Sequence, residues 1–160
     1  MGQKRYFSSI ERGFYLIFRI LLGAVFVWAS WSKIFEPDNF AGIIQSYQIL
    51  PQQMVNPVTI LLPWVEAACG LSLLSGYLVK GSVFIVDILM IIFMLALTFN
   101  IYRGVDVACG CFSVSTPGAK ITIFTIARDL SLLAVGLWIL YYRLKTENTL
   151  EIAVKAKGSQ

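Results

Sequence analysis

The 160-residue chain holds three cysteines and no histidine. Two of the cysteines stand one glycine apart, in Cys109-Gly110-Cys111, and the third, Cys69, lies alone in an apolar stretch. Bridging two thiols across a single residue closes a small, strained ring, and strained disulfides are the ones readily reduced and exchanged. Glycine between them supplies the backbone freedom that such a ring requires. A bridge this local barely restricts the unfolded chain, so it is a poor staple. The chemistry that fits is exchange: one thiolate attacks a partner disulfide, and the second thiol releases the mixed disulfide. Arg103 and Lys120 flank the pair and favour a thiolate. Three other readings fit the same residues: two reduced loop thiols, a bridge from one of them to Cys69, or two thiolates of a shared metal site. Cys69, three residues after Glu66, reads as a small buried hydrophobe. Without histidine, a bis-His haem, a His-bearing zinc site and a Ser-His-Asp triad are excluded. We expect no resident metal and no nucleic-acid partner.

The elements that must position these thiols lie in the membrane. Hydrophobic residues make up 58% of the chain and charged ones 14%, with a mean hydropathy of +0.74. A soluble domain carries about a quarter charged residues. Crossing the hydrocarbon core takes about 20 mostly apolar residues. Four stretches qualify, Phe14–Ser32, Val58–Val79, Ser82–Tyr102 and Ile121–Tyr142. Backbone groups in lipid must pair internally, so the spans are expected to be α-helices, and the stretches lack the two-residue alternation of a transmembrane β-strand. The expectation is an all-α, integral membrane four-helix bundle forming one domain over residues 1–160. A cleaved signal ending at Ala29 is a competing reading of the N-terminus, but the apolar run is long, contains Arg19, and is followed by three more spans.

Lysine and arginine counts orient the bundle. Lys4, Arg5, Arg12, Lys80, Arg143, Lys145, Lys155 and Lys157 fall on one side, against Lys33, Arg103 and Lys120 on the other. Both termini are therefore expected in the cytoplasm, with the connections 33–57 and 103–120 facing outward. Residues 143–160 read as a frayed helix end and a cytoplasmic tail. Within the first connection, Pro37 suits a first helical turn, Asp38 complements the helix dipole, and Phe40, Ile43, Ile44 and Tyr47 recur at helical spacing. Residues 37–49 are thus expected to form a short amphipathic helix on the outer membrane surface, or a cap plugging the end of the bundle.

Ionisable groups at membrane depth are costly and face a partner or a cavity. Arg19 and Asp87 each lie five residues from the cytoplasmic start of their span. Matched depth and opposite sign predict a structural Arg19–Asp87 ion pair. Glu66 and Arg128 lie about 10–13 Å in from the outer face, so they too are expected to meet. Asp129 points about 100° away from Arg128 and needs another neighbour, for which Lys33 is a candidate. This network has a structural and a functional reading, and its interest comes from lying beneath the cysteine loop.

Several of these residues recur in a known family. Ser32-Lys33-Ile34, Phe40, Tyr47, Leu50-Pro51, Pro63-Trp64-Val65-Glu66 with Gly70, Cys109-Gly110-Cys111-Phe112 and Arg128-Asp129-Leu130 resemble the MauE branch of the DoxX-like membrane proteins, over about Arg19 to Trp138. The family pattern usually has glycine after the phenylalanine, where this chain has Ser113, a departure that bears on the turn of the loop and not on the thiols. The resemblance implies a four-helix bundle of the bacterial inner membrane that helps to mature disulfide-containing periplasmic proteins, often with a thioredoxin-like partner. It further implies Cys109 and Cys111 as the functional thiols and Glu66, Arg128 and Asp129 as polar support.

The functional expectation is a membrane thiol–disulfide redox or maturation protein. It would pass electrons between a periplasmic thioredoxin-like partner and a quinone or another thiol carrier. A quinone requires an apolar groove between helices, which the Phe- and Trp-rich spans permit. The alternative is a non-catalytic assembly or chaperone subunit of a respiratory or maturation complex. A small-solute transporter is a weaker fit, because four spans are few and no Gly- or Pro-broken helix pair marks a midplane site.

Overall fold

The computed structural model describes residues 2–104 and 123–158, with side chains over residues 11–104 and 125–146. It contains five helices: α1 (Gly2–Phe35), α2 (Pro37–Ser46), α3 (Gln52–Ser75), α4 (Val79–Tyr102) and α5 (Ile123–Gly158). There is no strand among the described residues. Four segments are long and apolar enough to span a bilayer, Glu11–Phe35, Gln52–Ser75, Val79–Tyr102 and Thr125–Thr146. The protein is a multi-pass membrane bundle, all-α as its composition requires, with a short helix after the first span.

Punctuation residues set the helix ends. Glu36 stands at the N-cap position of α2, Pro37 opens it, and Asp38 lies in its first turn. The second apolar stretch was expected at 58–79, but α3 runs from Gln52 to Ser75. Extended Pro51 starts it and left-handed Gly76, at φ 80°, stops it. Hydropathy alone had set the expected limits there, whereas proline and glycine set the real ones. The turn into α4 also uses left-handed Leu78, and Ser72 Oγ donates to the Tyr77 carbonyl across it. Residues 143–158 continue α5 rather than leaving it.

α1 packs on α3, α3 on α4, α4 on α5 and α5 on α1, which closes a ring. In that ring α1 lies diagonal to α4, and α3 lies diagonal to α5. The chain alternates direction, so the ends of α1 and α4 and the starts of α3 and α5 share one end of the bundle. α2 lies against α1 and α3 at that end, called the α2 end below; the other is the tail end. Helices in lipid gain little from apolar burial and associate through close packing, which small residues allow. Gly23 and Gly70 provide it: a Cβ on Gly23 would stand 2.9 Å from the Gly70 carbonyl oxygen, and one on Gly70 would stand 2.8 Å from Val27 Cγ2. Leu22, Phe26, Cys69, Leu73, Val83, Val86 and Ile139 fill the interior around this crossing. Trp28, Trp31, Phe35, Trp64 and Tyr102 point outward, as expected where the solvent is lipid.

Candidate functional site at the α2 end

Lys33 occupies the last turn of α1 and is buried. Its Nζ donates to both carboxylate oxygens of Glu66, at 2.8 and 2.7 Å. The two side chains are 5% and 10% exposed. Glu66 sits on the inward face of α3, one turn after buried Pro63 and one turn before Gly70. The Phe40 ring of α2 covers the ammonium, with its centroid 5.3 Å from Nζ. This closed geometry offsets the desolvation that makes a buried pair costly.

On α5, Asp129 is fully buried, and its Oδ1 accepts from Arg128 Nε and Nη2, each at 3.0 Å. The Arg128 side chain is 42% exposed, so this pair runs from the core to the surface. Lys33 acts electrostatically on Asp129 as well. The two pairs together set two acids against two bases.

The expected Glu66–Arg128 contact does not form. Those residues belong to the diagonal helices α3 and α5, whereas α1 touches both. Lys33 therefore takes Glu66, and Arg128 folds back on its neighbour. Matched depth was the wrong criterion, because ring adjacency decides who meets.

The expected Arg19–Asp87 pair fails for the same reason, since α1 and α4 are the other diagonal. The Arg19 guanidinium lies over Gly76, where a Cβ would stand 2.7 Å from Nη1. There it faces the C-terminal end of α3, whose carbonyl dipoles attract a cation, and it reaches toward the tail-end boundary as long basic side chains do. Asp87 packs instead against Gly136 of α5.

Two buried polar residues at the α2 end lie outside the charged set read from the sequence. Tyr47, read there in an amphipathic stripe and among the residues of the family resemblance, is buried beside Leu97 and Phe93. Burial first, and the charge of Asp129 second, push its hydroxyl from the usual 10.0 up to about 12. Asn100 of α4 is fully buried and donates through Nδ2 to the Ala96 carbonyl at 2.9 Å. A search restricted to charged groups passes over both, although a tyrosine on the apolar stripe and an amide near the end of a span were visible signals.

Cys69 is a buried, free cysteine packed near Leu73 and Phe26. Cys109 and Cys111 lie outside the described residues. The segment that carries them leaves α4 after Tyr102 and enters α5 at Ile123, both at the α2 end. Among the described residues no group of three or more Cys, Asp and Glu side chains is arranged to hold a metal. Beneath α2 an apolar groove of about 230 Å³ runs between α3 and α4, lined by Ile44, Leu50, Leu62, Ile92 and Phe93, with Tyr47 in its wall. A flat apolar ring or an isoprenoid or acyl chain suits such a lining; the quinone considered from the sequence belongs to that class.

A ring of four spanning helices, capped by a fifth and tied at one end by a balanced ionic cluster, defines a small multi-pass membrane protein. The chain belongs to the family described as methylamine utilisation protein MauE, whose profile matches residues 11–142. It is 30% identical over 121 residues to methylamine utilization protein MauE of Methylophilus methylotrophus, covering 75% of this chain and 64% of the relative. Against MauE of Paracoccus denitrificans it is 34% identical over 95 residues, covering 59% and 51%. Against MauE of Methylorubrum extorquens it is 28% identical over 116 residues, covering 70% and 62%. The matched part thus spans between 51% and 64% of these relatives' lengths. No solved structure matches the chain.

Proposed function

We propose that this protein is an accessory membrane protein of methylamine utilisation that matures disulfide-containing partners by thiol–disulfide exchange through Cys109 and Cys111. The observation that carries the reading is the Cys109-Gly110-Cys111 spacing, in the connection between the α2-end termini of α4 and α5. Membership of the MauE family supports the pathway, since the relatives are named methylamine utilization proteins.

In the reaction, one thiolate attacks a sulfur of the partner disulfide, and the released partner thiolate takes a proton. The second thiol of the pair then attacks the mixed disulfide, freeing the other partner sulfur. Two electrons pass to the partner, and the Cys109–Cys111 bridge forms; run backward, the same steps oxidise the partner. Basic residues near the pair favour the attacking thiolate. The partner is a thioredoxin-like or disulfide-bearing protein on the periplasmic face of the inner membrane, with both termini of this chain in the cytoplasm. The excess of Lys and Arg in the termini and the α3–α4 turn supports that orientation.

The test is labelling of intact cells with a membrane-impermeant maleimide in a Cys69→Ser background, before and after a mild reductant. Labelling that requires reduction is the expected result. Labelling without reductant would remove the resting bridge and favour a non-catalytic assembly subunit. Failure to label under either condition would overturn the outward placement of the thiols.

A further inference from the structure

Asp87 stands apart from the α2-end cluster and has no part in the exchange chemistry. It is 3% exposed and lies eight residues into α4, about 12 Å along the axis from that helix's tail-end start. Neither carboxyl oxygen has a hydrogen-bond partner among the described residues. Its Oδ1 occupies the space that a Cβ on Gly136 would need, so α5 receives the acid against bare backbone.

Among the described residues no cation pairs with Asp87. From α1, Arg19 is turned away over Gly76, and Tyr15 stacks on Tyr142 of α5 at 5.0 Å. The inward face of α3 carries the Cys69 thiol and Glu66, the latter closed on Lys33, and on α5 buried Asp129 lies two turns nearer the α2 end, paired with Arg128. From α5, the Gly136 level is flanked by Leu132, Leu133, Ile139 and Leu140, and Arg143 lies two turns further toward the tail end. On α4 itself the nearest cation is Lys80, also two turns away. A carboxylate without a counter-ion at this depth is strongly disfavoured against the neutral acid.

We infer that Asp87 is a membrane-embedded proton-binding site, whose carboxyl is held as the neutral acid against Gly136 in the contact between α4 and α5. The ligand is a proton, and the site is the recess that glycine opens in α5. Tyr15, Arg19 and Arg143, each with a buried polar atom lacking a partner among the described residues, lie between Asp87 and the tail end. They provide polar groups on the side from which a proton would come. Ionisation would place a charge in the apolar α4–α5 contact and loosen it there.

Infrared difference spectroscopy tests this on the full chain in lipid nanodiscs, with carbon-13 label in aspartate. The expected spectrum at neutral pH has a carboxylic-acid carbonyl band that moves with the label. The band is lost in Asp87→Asn and kept in Asp129→Asn. An aspartate acid band absent from the unsubstituted protein, or unchanged in Asp87→Asn, overturns the assignment. If Asp87→Asn fails to fold, a hydrophobic carbodiimide on the unsubstituted protein replaces it. The acid proton transfers to a carbodiimide nitrogen, and the carboxyl oxygen bonds to the central carbon. An adduct mapped to Asp87, with ion-paired Glu66 unmodified, supports the site. A protein that carries its adducts only elsewhere refutes it.

Discussion

Lys33 and Glu66 form a closed pair, in which one ammonium group donates to both oxygens of one carboxylate inside the membrane boundary. Removing either partner strands the other charge. Glu66→Gln or Lys33→Met should each destabilise the bundle by about 3–5 kcal/mol, and the double replacement Lys33→Met with Glu66→Leu should recover most of that loss. Thermal unfolding in nanodiscs reads the difference. Equal damage from the double and single variants would show that the pair has a role other than mutual neutralisation.

The backbone contact of Gly23 with Gly70 leaves no space for a side chain. Gly23→Ala or Gly70→Ala should cost about 1–3 kcal/mol, the range for overpacking a well-filled interior, and leucine at either position should prevent assembly. Crosslinking between cysteines placed across α1 and α3 would report the separation directly. A Gly70→Leu protein with undisturbed crosslinks would refute the crossing.

Tyr47 keeps its proton longer in the folded protein than in the unfolded chain. Its folded value is about 12 against the usual 10.0. Its contribution to stability is therefore complete below pH 10.0 and is lost as pH rises through about 12. Ultraviolet titration should show a late phenol step near pH 12, and Tyr47→Phe should remove that step. In Asp129→Asn the step should move to lower pH, because a negative charge facing the phenol is gone.

Cys69 packs within the interior, six residues from the tail-end terminus of α3. Cys69→Ala should lower stability by about 1 kcal/mol and leave exchange at full rate. Cys109→Ser and Cys111→Ser should each abolish turnover while leaving the melting temperature unchanged. Exchange lost in Cys69→Ala would make that thiol a relay instead.

The four-helix class and the short helix after the first span were readable from hydropathy and from Pro37, because both depend on local composition. Lys33, Glu66, Arg128 and Asp129 were also legible as charged residues within or at the ends of the apolar spans. The pairings were not readable. Depth along a helix follows from counting residues, but adjacency around the ring depends on how α1 nestles on α3 through Gly23 and Gly70. Glycine carries no hydropathy signal for that contact. Tyr47 and Asn100 escaped because neither carries a formal charge. The limits of α3 were misplaced because Pro51 and Gly76 override a continuous apolar run.

The glycine crossing also makes the final stretch of α1 a ruler. Gly23 fixes the rotation of the helix, and Lys33, ten residues on, must then face Glu66. One residue inserted between them would swing the ammonium by about 100° toward lipid while the crossing stayed in place. Insertions and deletions should therefore be tolerated between α2 and α3, at residues 48–50, and rejected between Gly23 and Lys33.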